Sequence, residues 1–224
     1  MNIIVIANGD FPTGQWVAPL LGDADRIVCC DGAAENYVAW LGLQPYAQGR
    51  RVTVVGDGDS LPESLPRRAA DMGLELERVV VEEQDYNDLT KATRYAMAHW
   101  GKDEGGETSI TYIGATGKRE DHTLGNISLL AWYMKQWPGV RFCMRSDYGT
   151  FLPFENHARL ATRKGQQVSL FSLSPDVPVS AKGLRWPIAE RRLGWWWEAT
   201  LNEALGEECE VWGGTMVAYL VDKA

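Results

Sequence analysis

The chain has 224 residues, 45% hydrophobic and 23% charged, with a formal net charge of -8. That length suits one large domain or two smaller ones, and that composition excludes a disordered chain, a collagen-like repeat and a coiled coil. The negative charge disfavours a nucleic-acid partner, because phosphate backbones attract basic faces, yet it still allows a nucleotide held through a divalent cation and a few local basic groups.

The first predicted element is Ile3-Ile4-Val5-Ile6-Ala7, a β-branched run closed by Asn8-Gly9-Asp10. It is too short to span a membrane and lacks the basic start and cleavage pattern of a secretory signal. No later run reaches transmembrane length, so no membrane partner is expected. A second run, Arg26-Ile27-Val28-Cys29-Cys30, ends at Asp31-Gly32-Ala33, and a third, Val52-Thr53-Val54-Val55, ends at Gly56-Asp57-Gly58-Asp59-Ser60. Val79-Val80-Val81 and Ser109-Ile110-Thr111-Tyr112-Ile113 add two more, the latter closed by Gly114. Runs that are apolar on both faces suit a parallel sheet covered by helices. Leu89, Ala92, Thr93 and Ala96 recur at helical spacing, as do Leu124, Ile127, Leu130 and Ala131. Alternating strand and helix predicts an α/β domain. Cys29, Cys30, Cys143 and Cys209 fit no zinc or redox spacing and read as buried reduced thiols, which makes the cytoplasm the expected location.

Beyond Trp137-Pro138-Gly139 the helical rhythm fades. Residues 141–146, 167–173 and 215–221 read as strands, with turns around Ser174-Pro175 and Gly213-Gly214. The expected organisation is an N-terminal α/β domain over residues 1–140 with a mostly parallel sheet, then a C-terminal β-sandwich over 141–224.

In open α/β sheets ligands sit at the carboxyl ends of the strands, and nearly every such end here carries an acid or a glycine. Carboxylates gathered on one edge repel each other unless a cation joins them. Magnesium prefers such oxygens, so Asp57, Asp59 and Asp88 are its expected ligands. Gly56-Asp57-Gly58-Asp59 alone would also suit a hairpin turn, but the following Leu61-Pro62-Glu63-Ser64-Leu65-Pro66 does not look like a return strand. In Gln84-Asp85-Tyr86-Asn87-Asp88-Leu89-Thr90-Lys91, either Asp85 or Asn87 is placed to cap a helix. Asp88 and Lys91 then share a helical face, as a solvated ion pair or as a metal ligand beside a phosphate-binding lysine. A third cluster, Gly114 to Asn126, opens with a glycine-rich turn between strand and helix that can aim backbone N–H groups at an anion. It is not a P-loop, and Lys118 and Arg119 supply its positive charge.

Four motifs in order resemble the thiamine pyrophosphokinase family over nearly the whole chain. They are Asp31-Gly32-Ala33, Gly56 to Ser60, the set Gln84, Asp85, Asp88 and Lys91, and the set Gly114, Gly117, Arg119, Asp121, His122 and Asn126. The resemblance implies transfer of pyrophosphate from ATP to thiamine, with Mg2+ on Asp57, Asp59 and Asp88 and a catalytic set completed by Arg119 and Asp121. It implies ATP contacts from Asp31, Gln84, Lys91, Gly117, Lys118 and Arg119, with Asp31 and Asp121 the candidates for the general base. It also implies a homodimer with thiamine bound where the subunits meet. Gly183-Leu184-Arg185-Trp186 matches a family segment, so Trp186 is expected to stack on thiamine, with Asn202 and Asn126 also on the thiamine side. The chain departs from the family at Gly58, at Lys118 and in Ala199-Thr200-Leu201-Asn202, which follows an unusual Trp195-Trp196-Trp197 run. The other readings of the same residues are a pyrophosphokinase for a pterin alcohol and a non-catalytic thiamine or nucleotide sensor.

Overall fold

The computed structural model describes residues 1–44, 51–58, 61–101 and 107–222. It divides into two compact units, Met1–Asn126 with Gly139–Arg141, and Ile127–Pro138 with Phe142–Ala224.

The first unit runs β1 (Asn2–Ile6), α1 (Val17–Gly22), β2 (Arg26–Cys30), α2 (Ala33–Leu41), β3 (Arg51–Gly56), α3 (Leu65–Asp71), β4 (Glu75–Val80), α4 (Asp88–Trp100), β5 (Ser109–Ile113) and the start of α5 (Glu120–Gln136). Its strands are parallel in the order β5-β1-β2-β3-β4. Beyond their first residues β1, β2 and β3 are buried throughout, as strands with helices on both faces must be. The expectation of burial on both faces fails at β4. That strand pairs with β3 at the sheet edge, and its Val80 is 55% exposed. Glu75, Glu77 and Arg78 on this strand are the charged residues that keep an edge from pairing further.

The strand order places a switch point between β1 and β5. Chain progression runs from β1 outward to β4 and then returns to the other side of β1. A crevice opens there beyond the carboxyl ends, the usual place for a ligand in such sheets. α4 leads into this crevice with its N-terminus. Asn87 caps it by accepting from the Thr90 N–H at 3.0 Å, which decides between the two expected caps. Leu89, Ala92, Ala96 and Met97 bury its inner face, and Thr93 Oγ1 lies 2.9 Å from the Tyr112 hydroxyl of β5.

The second unit holds most of α5 with β6 (Arg141–Arg145), β7 (Gly149–Ala161), β8 (Gln167–Ser172), β9 (Val179–Lys182), β10 (Ile188–Arg191), β11 (Asn202–Glu203) and β12 (Glu208–Val221). The pairings among β6 to β12 are antiparallel. β12 lies along the whole of β7 and serves two further partners. Glu210–Trp212 pairs with β9, and Met216–Leu220 pairs with β8. Gly213-Gly214, expected as a turn, is instead a register shift inside this one strand. A Cβ at Gly213 would stand 2.6 Å from Met216 Sδ, and one at Gly214 would stand 2.6 Å from Ser174 Cβ. The two glycines therefore let the strand bend and change partner without breaking. Its two halves close over one core containing Val168, Leu170, Val179, Ala181, Val211, Met216, Ala218 and Leu220. Val217 faces the other way and packs with Ile127 and Ala131 of α5. The observed architecture is thus the expected one, a largely parallel α/β domain followed by a sheet-rich domain.

Candidate active site

A cavity of about 780 Å³ opens at the carboxyl ends of the first unit's strands. Asn8 and Gly9 reach it from β1, Cys30 from β2 and Asp57 from β3. Gln84 to Leu89 and Lys91 contribute from the loop before α4 and its first turn, and the segment after β5 contributes Gly114, Gly117, Lys118, Arg119 and Asn126.

One side of the cavity is acidic. Asp88 titrates above the ordinary aspartate range, first because burial penalises its charge. Lys91 opposes that shift, while the carboxylates of Asp57 and Asp31 add to it. The ends of β2 and β3 and the start of α4 thus bring their acids close enough to repel one another. Lys91 Nζ lies 3.6 Å from Asp88 Oδ1, and its side chain is only 3% exposed. The lysine is therefore buried while the aspartate keeps about half its side chain exposed, so the pair is not the fully solvated one its spacing also allowed. Asp31 is itself 4% exposed and adopts a φ of 28°, a conformation in which Asp is among the more tolerant residues. Its carboxylate sits over Gly56, where a Cβ would approach Asp31 Cβ to 2.6 Å. The glycine before Asp57 thus makes room for the aspartate of the neighbouring strand. Burial raises the Cys30 thiol, and Asp88 and Asp31 raise it further, so it stays protonated beside the acids.

Asp59 and Ser60 lie outside the described residues. Among the described residues no group of three or more His, Cys, Asp or Glu is arranged to hold a metal ion. The donor chemistry nevertheless fits a hard divalent cation. Asp57 and Asp88 are the described carboxylates that would hold it, and their repulsion is what such a cation relieves.

The opposite side is basic and glycine-rich. Gly114, Gly117 and Lys118 have φ values of 63°, 78° and 59°, so the loop after β5 curls tightly. The loop after β1 braces it. The Gly9 N–H donates to the Gly114 carbonyl at 2.6 Å, and the Asp10 N–H donates to the Thr116 carbonyl at 2.8 Å. A Cβ on Gly9 would come within 2.5 Å of the Gly114 carbonyl oxygen, so only glycine allows this approach. Lys118 Nζ donates to Asn8 Oδ1 at 3.4 Å, and that oxygen also accepts from Asn36 at 3.2 Å. Arg119 lines the cavity and forms two bonds to Asp121, at 3.1 and 2.5 Å. Asp121 does not line it. The Arg119 hydrogen bond and the His122 N–H hold its carboxyl down at about 2.

The expected residues therefore fall into two groups. Asp57, Gln84, Asp88, Lys91, Gly117, Lys118, Arg119 and Asn126 line one cavity, with Asp31 buried beside its acids and Asp121 gripping Arg119. Asn126, assigned by resemblance to the thiamine side, sits in this cavity with its Nδ2 donating to the Ala115 carbonyl at 2.8 Å. Trp186 and Asn202 belong to the second unit, where they bond to each other. Asn8, Tyr86 and His122 also line the cavity and were not among the assigned site residues. Asn8 stands in a recognisable strand-end motif, but its partner Lys118 comes within reach only because β5 pairs with β1.

Comparison with known proteins decides the family. A thiamin pyrophosphokinase catalytic-domain model matches residues 17–141, and a thiamin pyrophosphokinase substrate-binding-domain model matches residues 149–221. The chain belongs to the thiamin pyrophosphokinase family. It is 28% identical over 201 residues to thiamine pyrophosphokinase 1 of Oryza sativa subsp. japonica, covering 82% of this chain and 72% of that one. The thiamin pyrophosphokinase of Candida albicans has a similar fold, with a TM-score of 0.80 at 18% identity over 98% of this chain and 88% of that one. The Bacillus subtilis enzyme gives a TM-score of 0.74 at 20% identity over the full length of both. The activity of the family is ATP-dependent transfer of pyrophosphate to thiamine, and this chain is a thiamine diphosphokinase of that family.

Proposed function

We propose that the first unit's cavity binds the ATP polyphosphate with magnesium, and that Trp186 of the second unit presents an aromatic face to thiamine. The protein works as a cytoplasmic homodimer whose thiamine sites lie where subunits meet. Residues 1–140 serve as the catalytic domain and 141–224 as the thiamine-binding and dimerisation domain. The cytoplasmic assignment is supported by four cysteines that form no disulfide.

The observation that carries this reading is the facing of two charges across one cavity. Asp57 and Asp88, crowded by Asp31, stand on one side, and Lys118 and Arg119 stand on the other. A polyphosphate bound to a divalent cation matches that pattern, since its cation meets the acids and its oxygens meet the basic loop. Magnesium, when bound, would supply charge neutralisation at the phosphate oxygens, and Asp57, Asp59 and Asp88 would hold it.

The thiamine hydroxyl attacks the β-phosphorus of ATP. A new oxygen–phosphorus bond forms, the bond from the β-phosphorus to the bridging oxygen breaks, and AMP departs with that oxygen. Catalysis of this kind rests on alignment and charge stabilisation. Lys91 and Arg119 hold the phosphates in line, Gln84 adds a neutral contact, and the Gly117–Lys118 turn offers backbone donors. Asp31, buried beside the acids, and Asp121, bonded to Arg119, are the two candidates to take the hydroxyl proton.

Asp57→Ala tests the assignment. Turnover is expected to fall by roughly 10²-fold or more, with near-ultraviolet circular dichroism and melting temperature retained. A variant as active as the parent protein would remove Asp57 from the site.

A further inference from the structure

In the second unit, residues 183–186 run antiparallel to residues 202–205. The Leu205 N–H donates to the Gly183 carbonyl at 2.8 Å, Leu184 bridges Ala204, and the Arg185 N–H donates to the Glu203 carbonyl at 2.8 Å. At Trp186 the backbone ladder stops. Pro187 follows on one side, and on the other Leu201 turns away with a φ of 59°. The Asn202 side chain supplies the missing rung. Its Oδ1 accepts from the Trp186 N–H at 3.1 Å, and its Nδ2 donates to the Trp186 carbonyl at 2.7 Å. Oδ1 also accepts from the Glu203 N–H at 2.9 Å.

A primary amide suits this task because it carries the same donor and acceptor as a peptide group. Asn202 is 6% exposed, so truncation would leave the Trp186 backbone without its partners in a poorly solvated place. Arg185 steadies the tryptophan from the side. Its guanidinium pairs with Glu203 at 3.2 Å and lies 5.2 Å from the centre of the Trp186 ring. Trp186 as a whole stays 54% exposed although its backbone is held on both edges. Rigid anchorage under an open aromatic face is how a stacking platform is kept ready for a ligand.

We propose that Asn202 is a positioning residue of the acceptor site, holding Trp186 in place for the thiamine rings without touching thiamine itself. The proposal rests on the reading of Trp186 as the stacking residue.

The test combines kinetics with the indole N–H spectrum of the full-length protein, the Trp186 signal being assigned by its loss in Trp186→Phe. In Asn202→Ala that signal is expected to shift or broaden. The thiamine KM should rise about tenfold, the equivalent of losing one to two hydrogen bonds, while the ATP KM stays unchanged. The double variant Trp186→Ala/Asn202→Ala should bind thiamine no worse than Trp186→Ala alone. Asn202→Asp, which keeps the volume and the acceptor but loses the donor, gives the same readouts if the alanine variant does not fold. An unmoved Trp186 signal would overturn the positioning role by itself. Losses that multiply in the double variant would overturn it in favour of direct contact. A normal thiamine KM in Trp186→Ala, with the indole signal still moved by Asn202→Ala, would instead overturn the reading of Trp186 and end the proposed role in thiamine binding.

Discussion

Asp88 and Lys91 are one helical turn apart, yet the aspartate is half exposed and the lysine almost wholly buried. Their spacing is plain in the sequence, but burial is not, because it depends on how α4 lies against the sheet. The same difference separates the strand-end acids, which can be read locally, from their mutual repulsion, which needs β2 beside β3. That repulsion has a titration consequence. In metal-free protein Asp88 should protonate above its ordinary value of 3.8. Its folded value is raised, so the stabilisation that comes with protonation is full below the unfolded value and is lost as pH rises through the folded one. Asp57→Asn removes a repelling carboxylate and should lower the Asp88 value, as read by a carbon-detected carboxyl titration. An Asp88 titration unaffected by that change would mean the two acids do not share a site.

At the scale of elements, β1, β2, β3 and β5 are legible because buried parallel strands are apolar runs that end in turn residues. β4 is less so. An edge strand mixes charge with valine, and Val79-Val80-Val81 marks its end better than its start at Glu75. The Gly213-Gly214 bulge reads as a turn because glycine pairs usually are turns, and only the partners on either side of β12 reveal a continuous strand. The contact between the loops after β1 and β5 is likewise a product of topology. It makes a sharp prediction at Gly9, where an added Cβ meets backbone oxygens that cannot rotate away. Gly9→Ala should cost about 1–3 kcal/mol of stability and raise the ATP KM several-fold, measured by thermal unfolding and initial rates. A variant with an unchanged melting temperature and unchanged ATP KM would show that the brace does not shape the phosphate loop.

For the whole molecule, the proposed function divides the chemistry between the two units. The groups proposed for metal and phosphate are in the first, and the Trp186–Asn202 pair is in the second. If subunits share each thiamine site, a mixture of Asp57→Ala and Trp186→Ala protein, dissociated and reassociated, should regain about a quarter of the parent activity. Half the dimers would then be mixed, and each would hold one intact site. No recovery, with mixed dimers demonstrated, would place both residues of a site on one chain. The order of the motifs and the family they resemble are plain in the linear sequence. The bonds that tie Asn202 to Trp186 are not, because the two residues are 16 positions apart and meet only when the second unit folds.

The most direct test of the account is the nucleotide product released from ATP and magnesium, with and without thiamine. The account predicts AMP in equal amount to thiamine diphosphate, formed only when thiamine is present. ADP in place of AMP, or AMP release that ignores thiamine, would contradict it.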